Sequence, residues 1–440
     1  MKRYLRLLPL LALLAGGCSK DYLNPSTASQ EQVLSTSDGL ITVCNGLQHR
    51  FTTGGALSPL YNLVAAGGLT TRELTVINVG NIEEYNVSLG AGNITNGNVV
   101  VRNLWTQTQL VKANADLVLA NAGNAADLGT RSGIVAYASI FRALALGTQA
   151  MFFEQGPLAV GENAAFVPRV QLLQSAVTQL EAAAAGLAAN PVSADFNGKI
   201  VPGINLANTL QALIARYSLL AGDYDKALAA AGRVDLASRS VFNFDDNTRN
   251  PLFEVAFGNR NVFEPGDVNL GLTGALAPEA GDRRIPFYTR ATPTAQQNRG
   301  TGFYTLAGAP IPVYVPGEML LIRAEAYARK NDLPNAVTEL NRVRTSTAAA
   351  TTTTASGPPT GPPGAGLAPY AGPLTQEAVL LDIYRNRQVE LAFQGFRLDD
   401  SRRFSRPGPG TTGAERNRNF LPYPRVEREN NPSTPPDPAI

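Results

Sequence analysis

The chain has 440 residues, 44% hydrophobic and 16% charged, with a formal charge of +2 and a single histidine. Apolar residues suffice for a large core, and the near-neutral charge argues against a nucleic-acid partner, because phosphate neutralisation needs a concentrated basic face. One histidine excludes zinc sites built from several imidazoles. No Gly-x-Ser-x-Gly, phosphate loop, calcium loop or cysteine pair is present. No metal or cofactor is expected, and binding is favoured over catalysis; a carboxylate pair of the glycosidase kind stays open as an alternative.

The segment "MKRYLRLLPLLALLAGGC" opens with Lys2, Arg3 and Arg6 and continues into the apolar run Leu7–Ala15. That run is far shorter than the roughly 20 residues of a spanning helix, so residues 1–17 read as a secretory signal. Ala15-Gly16-Gly17 before Cys18 resembles the bacterial lipobox, with Ala15 where leucine is usual. The resemblance implies cleavage before Cys18 and its acylation by lipid such as palmitate. Cys44 is then left without a partner, so no disulfide is expected. Residues 18–36 read as a lipidated, flexible lead. Ser19-Lys20-Asp21 resembles the short charged signals that send Bacteroidetes lipoproteins to the outer face of the outer membrane.

Helical periodicity dominates the chain beyond residue 36. Leu40, Cys44, Leu47 and Phe51 form one stripe of a helix over Ser37–Phe51, which makes Cys44 a small buried hydrophobe. Further helices are predicted near Leu104–Ala122, Ile134–Phe153, Pro168–Leu187, Leu206–Ala221, Asp223–Val234, Glu318–Arg329, Leu333–Arg344 and Thr375–Gln394. Trp105 sits beside an apolar stripe and reads as a packing residue. "ARYSLLAGDYDKALAAAGRV" (Ala215–Val234) aligns without gaps on "AEAYARKNDLPNAVTELNRV" (Ala324–Val343). Gly222 and Asn331 fall where the left-handed conformation ends a helix, and Asp223 and Asp332 fall where the next begins. This is the logic of a tetratricopeptide hairpin. Two sections break the periodicity, Thr52–Asn103 and the aromatic-rich Phe242–Val315. The Thr/Pro/Gly-rich stretch 345–373 is low in complexity and reads as a mobile surface loop, and the segment after Pro422 reads as coil.

Near the C-terminus stands "RNRQVELAFQGFRLDDSRRF" (Arg385–Phe404). On a helix, Glu390 lies within reach of Arg387, while Arg397, Asp400 and Arg403 follow at a spacing of three. These five residues are predicted to form a structural charge network that holds the C-terminal segment to the body. The stretch also resembles the C-terminal signature of the SusD/RagB family, approximately E-R-x-x-E-L-x-F-E-G-x-R-x-x-D-L-x-R-W. It matches at Arg387, Glu390, Leu391, Phe393, Gly395, Arg397, Asp400 and Arg403, and departs at Asn386, Gln394, Ser401 and Phe404. "EMLLIRAEAYARKNDLPNAVTELNRVR", "FRALALGTQAMFFEQGPL" and "FLPYPRVERENNP" resemble further family segments in the same order.

The resemblance implies a mainly α body over 37–440, built from interrupted tetratricopeptide-like helical hairpins with irregular, loop-rich ligand-binding inserts at about 52–103 and 242–315. It implies a surface-exposed outer-membrane lipoprotein that is not an enzyme. Such a protein captures glycan or peptide nutrients and passes them to a SusC-like TonB-dependent transporter. From position within the two inserts, Tyr85, Phe263, Tyr288 and Tyr304 are the candidate ligand platforms, and Arg72, Glu73 and Asn81 their hydrogen-bonding companions. A periplasm-facing tetratricopeptide-type interaction scaffold without small-molecule cargo is the alternative from another class.

Overall fold

The computed structural model describes residues 29–352 and 357–440; Cys18, the signal 1–17 and most of the lead lie outside the described residues. The protein is mainly α, with 54% helix against 6% strand. The helices expected from periodicity are present, at Ser37–Thr52, Val99–Asn121, Leu128–Phe152, Arg169–Ala189, Leu206–Ala221, Tyr224–Arg233, Pro316–Arg329, Leu333–Arg344 and Gln376–Glu390. Side chains that prefer helix starts set many of their ends: Thr36, Asp127, Asn205, Asp223, Asp332 and Thr375 each accept a hydrogen bond from the first turn.

The two aligned segments are helical hairpins. Gly222 (φ 85°) and Asn331 (φ 61°) take the left-handed turn between their helices, and Asp223 and Asp332 cap the second helix. The hairpins stack on one another through Tyr224–Arg233 and Pro316–Arg329. Leu128–Phe152 is apolar and long enough to cross a bilayer, yet 89% of its most apolar window is buried inside the fold. It is the core helix, packed between Val99–Asn121 and Arg169–Ala189.

Several expectations are corrected. The section 52–103 is not irregular throughout, for it holds the helices Pro59–Thr70 and Ile82–Leu89. Every residue of Pro59–Thr70 is buried, so it shows no polar face and no periodicity. Part of the lead is also ordered: Gln30–Leu34 is a helix with a Ser29 capping box, and Leu34 is buried. The described parts of 345–373 are tethered to the body. Arg239 donates to the Thr351 hydroxyl, Arg283 donates to the Thr347 carbonyl, and Ala365 is fully buried. Past Pro422 a short helix forms at Arg425–Asn430. Among the described residues the strands make four two-stranded sheets. The one that matters for the site pairs Leu74–Val76 antiparallel with Phe263–Pro265 and so joins the two inserts.

Among the described residues, Lys112 is a charged core group that makes no ion pair. Lys112 is fully buried and donates to the Pro157 and Ala159 carbonyls. Burial lowers its pKa from the usual 10.5 to about 8. Between those values the unfolded chain binds more protons than the native one, so this residue makes stability rise with pH across that window, and the increment is lost again as pH falls back through it. Lys112→Met should remove the rise: plotted against pH across the same window, its melting temperature should fall more steeply than that of the wild type.

Candidate ligand-binding site

The helix Gln376–Glu390 stops because the chain turns sharply. Phe393 (φ 58°) and Gly395 (φ 81°) both take the left-handed conformation. At Gly395 a side chain is excluded twice, by that φ and by the Leu63 carbonyl, 2.6 Å from where a Cβ would stand. The turn is therefore pressed against the buried helix Pro59–Thr70. Its backbone is held from both inserts. The Phe393 amide donates to Glu73 Oε1 at 3.0 Å, the Tyr304 hydroxyl donates to the Phe393 carbonyl at 2.6 Å, and the Tyr288 hydroxyl donates to the Glu390 carbonyl at 2.8 Å.

Buried ion pairs surround the turn. Arg387 makes two parallel bonds of 3.0 Å to Asp400, and Arg403 bridges Asp400 and Glu325. Arg397 pairs with Glu73 at 3.3 Å and donates to the Leu270 carbonyl. Glu390 does not pair with Arg387, its neighbour on the helix. It faces Arg284 of the second insert at 3.1 Å, which also binds Asp282 and Asn386. Burial raises the pKa of Glu73 and of Glu390, against the pull of Arg397 and Arg284 respectively.

Above this turn lies a cleft of about 580 Å³. Its walls come from the first insert (Leu69, Arg72, Thr75, Ser88), the second (Asp267, Leu272, Thr273, Leu276) and the C-terminal segment (Tyr384, Arg406, Glu415). A groove of about 690 Å³ on the scaffold has only helical walls, with Ala184, Ala185, Ala229 and Ala230 among them. In the cleft, Arg406 is paired with Glu415 at 2.7 Å, and the Tyr384 hydroxyl donates to the same carboxylate. Arg72 and Asp267 have no oppositely charged partner among the described residues.

The structure separates the candidate residues. Arg72 lines the cleft. Tyr85 is half-buried on the helix Ile82–Leu89, and the Asn81 amide is engaged by the Asn78 and Asn261 carbonyls. Phe263, Tyr288 and Tyr304 are at most 1% exposed and cannot serve as platforms. They belong to an aromatic cluster with Phe257 and Phe393, and the two hydroxyls are spent on the turn. Glu73 is buried and used by Arg397 and Phe393. Trp105 is likewise buried, stacked on Phe166 with its indole N–H donating to Glu427. Sequence reasoning missed Asp267, Thr273, Arg406 and Glu415. Asp267 alone carried a local signal, since Asp-x-Asn-x-Gly is turn-forming.

Solved structures share this architecture. A SusD superfamily protein from Bacteroides thetaiotaomicron VPI-5482 matches with TM-score 0.67 at 16% identity, covering 92% of this chain and 100% of its own. A SusD superfamily protein from Bacteroides fragilis gives 0.65 at 17%, covering 91% and 99%. A SusD-like carbohydrate binding protein from Bacteroides vulgatus ATCC 8482 gives 0.65 at 16%, covering 84% of each chain. Residues 243–436 match the SusD family model. Over that stretch the chain is similar to the SusD family, and its fold is that of the SusD superfamily structures. No curated protein sequence matches this chain. The stretch matched by the family model contains the sharp turn and its ion pairs, apart from Glu73, the partner of Arg397.

Removing one partner of a buried pair strands the other charge, which costs about 3–5 kcal/mol when nothing replaces it. Asp400→Ala removes the two-bonded partner of Arg387 and should lose stability in that range. Glu390→Ala leaves Arg284 its Asp282 and should lose only about 1–3 kcal/mol. Urea denaturation of both variants checks the order; equal losses would mean that the pairs act as one undivided network.

Proposed function

We propose that this chain is a SusD-family glycan-binding protein that captures oligosaccharides in the cleft between its two inserts. The observation that carries the reading is the cleft's construction. Loop segments from both inserts, held by a rigid helical frame, bring polar and apolar side chains to one opening of a size suited to a small ligand. The family supports it, and the Bacteroides vulgatus structure with the same fold is described as a carbohydrate binding protein. We read the protein as a binder and not as an enzyme. The N-terminal segment supports a place on the outer membrane, tethered through lipid on Cys18, and the family supports hand-over to a SusC-like TonB-dependent transporter. The division into signal 1–17, lead 18–36 and body 37–440 belongs to the same proposal. Tyr85 and Asn81 lie on the helix and loop of the first insert and could extend the contact beyond the cleft.

Ala275 is exposed and lines the cleft, so Ala275→Trp fills it without touching the core. Isothermal titration with neutral glucan, xylan and mannan hexasaccharides should show binding by the wild type and none by Ala275→Trp at unchanged melting temperature. Full binding by that variant would move the site elsewhere. For the tether, Cys18→Ala should shift the protein from the membrane to the soluble fraction, since stable anchoring needs acyl chains that this variant cannot carry.

A further inference from the structure

Arg72 is one of the few non-glycine residues with positive φ, at 60°. For an arginine this conformation is strained, and strain of this kind persists only where the surroundings impose it. Here they do. Gly266 donates its amide to the Glu73 carbonyl at 2.9 Å. A Cβ on Gly271, itself at φ 70°, would collide with the Arg72 carbonyl. The turn Asp267–Gly271 is thus wrapped directly over the Arg72 backbone. It is tied by the Asp267 carboxylate, whose Oδ1 accepts from the Asn269 and Gly271 amides at 2.7 and 2.8 Å. On the other side, Glu73 is locked to Arg397 and Phe393.

The result is a guanidinium and a carboxylate brought to one wall of the cleft. Arg72 is exposed and Asp267 half-buried. Among the described residues neither has an ion-pair partner, and they do not bridge each other. The remaining charges of the lining cancel, Arg397 with Glu73 and Arg406 with Glu415. An anionic ligand would gain from Arg72 and lose to Asp267; a cationic one would do the reverse. A hydroxyl both donates and accepts, so a neutral polyol satisfies both groups at once. Leu272 and Leu276, both largely buried, border the same opening on its apolar side.

We infer that Arg72 and Asp267 form a charge-balanced pair that selects neutral oligosaccharides over acidic ones, and that the strained backbone at Arg72 is kept for this recognition. The inference rests on the glycan-binding reading and adds to it the ligand's charge class and the residues that set it.

The test is titration of wild type, Arg72→Gly, Arg72→Asn and Asp267→Asn with the three neutral hexasaccharides and with oligogalacturonate and chondroitin sulfate hexasaccharides. Glycine and asparagine both tolerate the left-handed conformation, so neither variant should melt below the wild type. The wild type should bind its best neutral sugar at least roughly tenfold more tightly than either acidic one, and both Arg72 variants should weaken that binding roughly tenfold or more. Asp267→Asn should narrow or reverse the neutral-to-acidic ratio. Preference of the wild type for an acidic sugar, or undiminished binding by the Arg72 variants, would overturn the inference while leaving glycan binding in place. Arg72 variants that melt well below the wild type would make the residue structural and overturn it as well. No binding of any of the five probes by the wild type would instead remove the glycan-binding reading, and this inference with it.

Discussion

The fold depends on a turn that cannot exist by itself. Between Glu390 and Arg397 the chain reverses through two left-handed residues, one of them phenylalanine, in the interior and with charged residues on both sides. Its carbonyls and amides are too far from solvent to be satisfied by water, and an unpaired buried amide or carbonyl is costly. The partners come from far along the chain: Glu73 for the Phe393 amide, Tyr304 for the Phe393 carbonyl, Tyr288 for the Glu390 carbonyl. Both inserts must therefore be in place before the turn is satisfied. Conversely, the turn fixes where each insert sits.

The charges explain why this arrangement is unique, more than why it is stable. Burying an ion pair repays its desolvation only when geometry is good, and apolar residues of equal volume would often be as stable. A shifted register is a different matter. If the helix Gln376–Glu390 slid by one turn, Arg387 would lose Asp400, Glu390 would lose Arg284, and each would be left charged in a low-dielectric interior. Arg397 acts in the same way on both inserts, through Glu73 of the first and the Leu270 carbonyl of the second. The arginine-rich stretch near the C-terminus is thus an address system for the rest of the chain, and its basic residues are consumed inside the protein.

This also explains what the amino-acid order did and did not disclose. Amphipathic helices announced themselves, because one face meets water and the other the core. Gly222 and Asn331 announced the hairpin turns, because few residues tolerate φ near 60–85°. Pro59–Thr70 stayed hidden because it is buried on all sides and has no alternation to read. The partner of Glu390 stayed hidden because Arg284 is remote in sequence, while Arg387 lies one helical turn away. Phe263, Tyr288 and Tyr304 looked like platforms because they stand in a loop-rich section. The section is irregular in backbone yet buried in side chains: its rings join the main core, packed around Phe393. Irregular backbone is a poor guide to exposure where the turns themselves pack on a large body.

The cleft inherits its rigidity from that buried cluster. Arg72 and Glu73 are consecutive, and they divide the labour between frame and site. Glu73 faces inward to the turn, and Arg72 lines the opening. The strand pair Leu74–Val76 with Phe263–Pro265 then carries the second insert to the same edge, which puts Gly266 and Gly271 against the Arg72 backbone. In and just after that turn, Val268, Asn269, Thr273 and Ala275 are exposed and free to vary without disturbing Glu73 or Phe393. Such a plan lets ligand preference change at the rim while the pairing that defines the fold stays constant, because the constraint on the backbone and the choice of side chain fall on different residues.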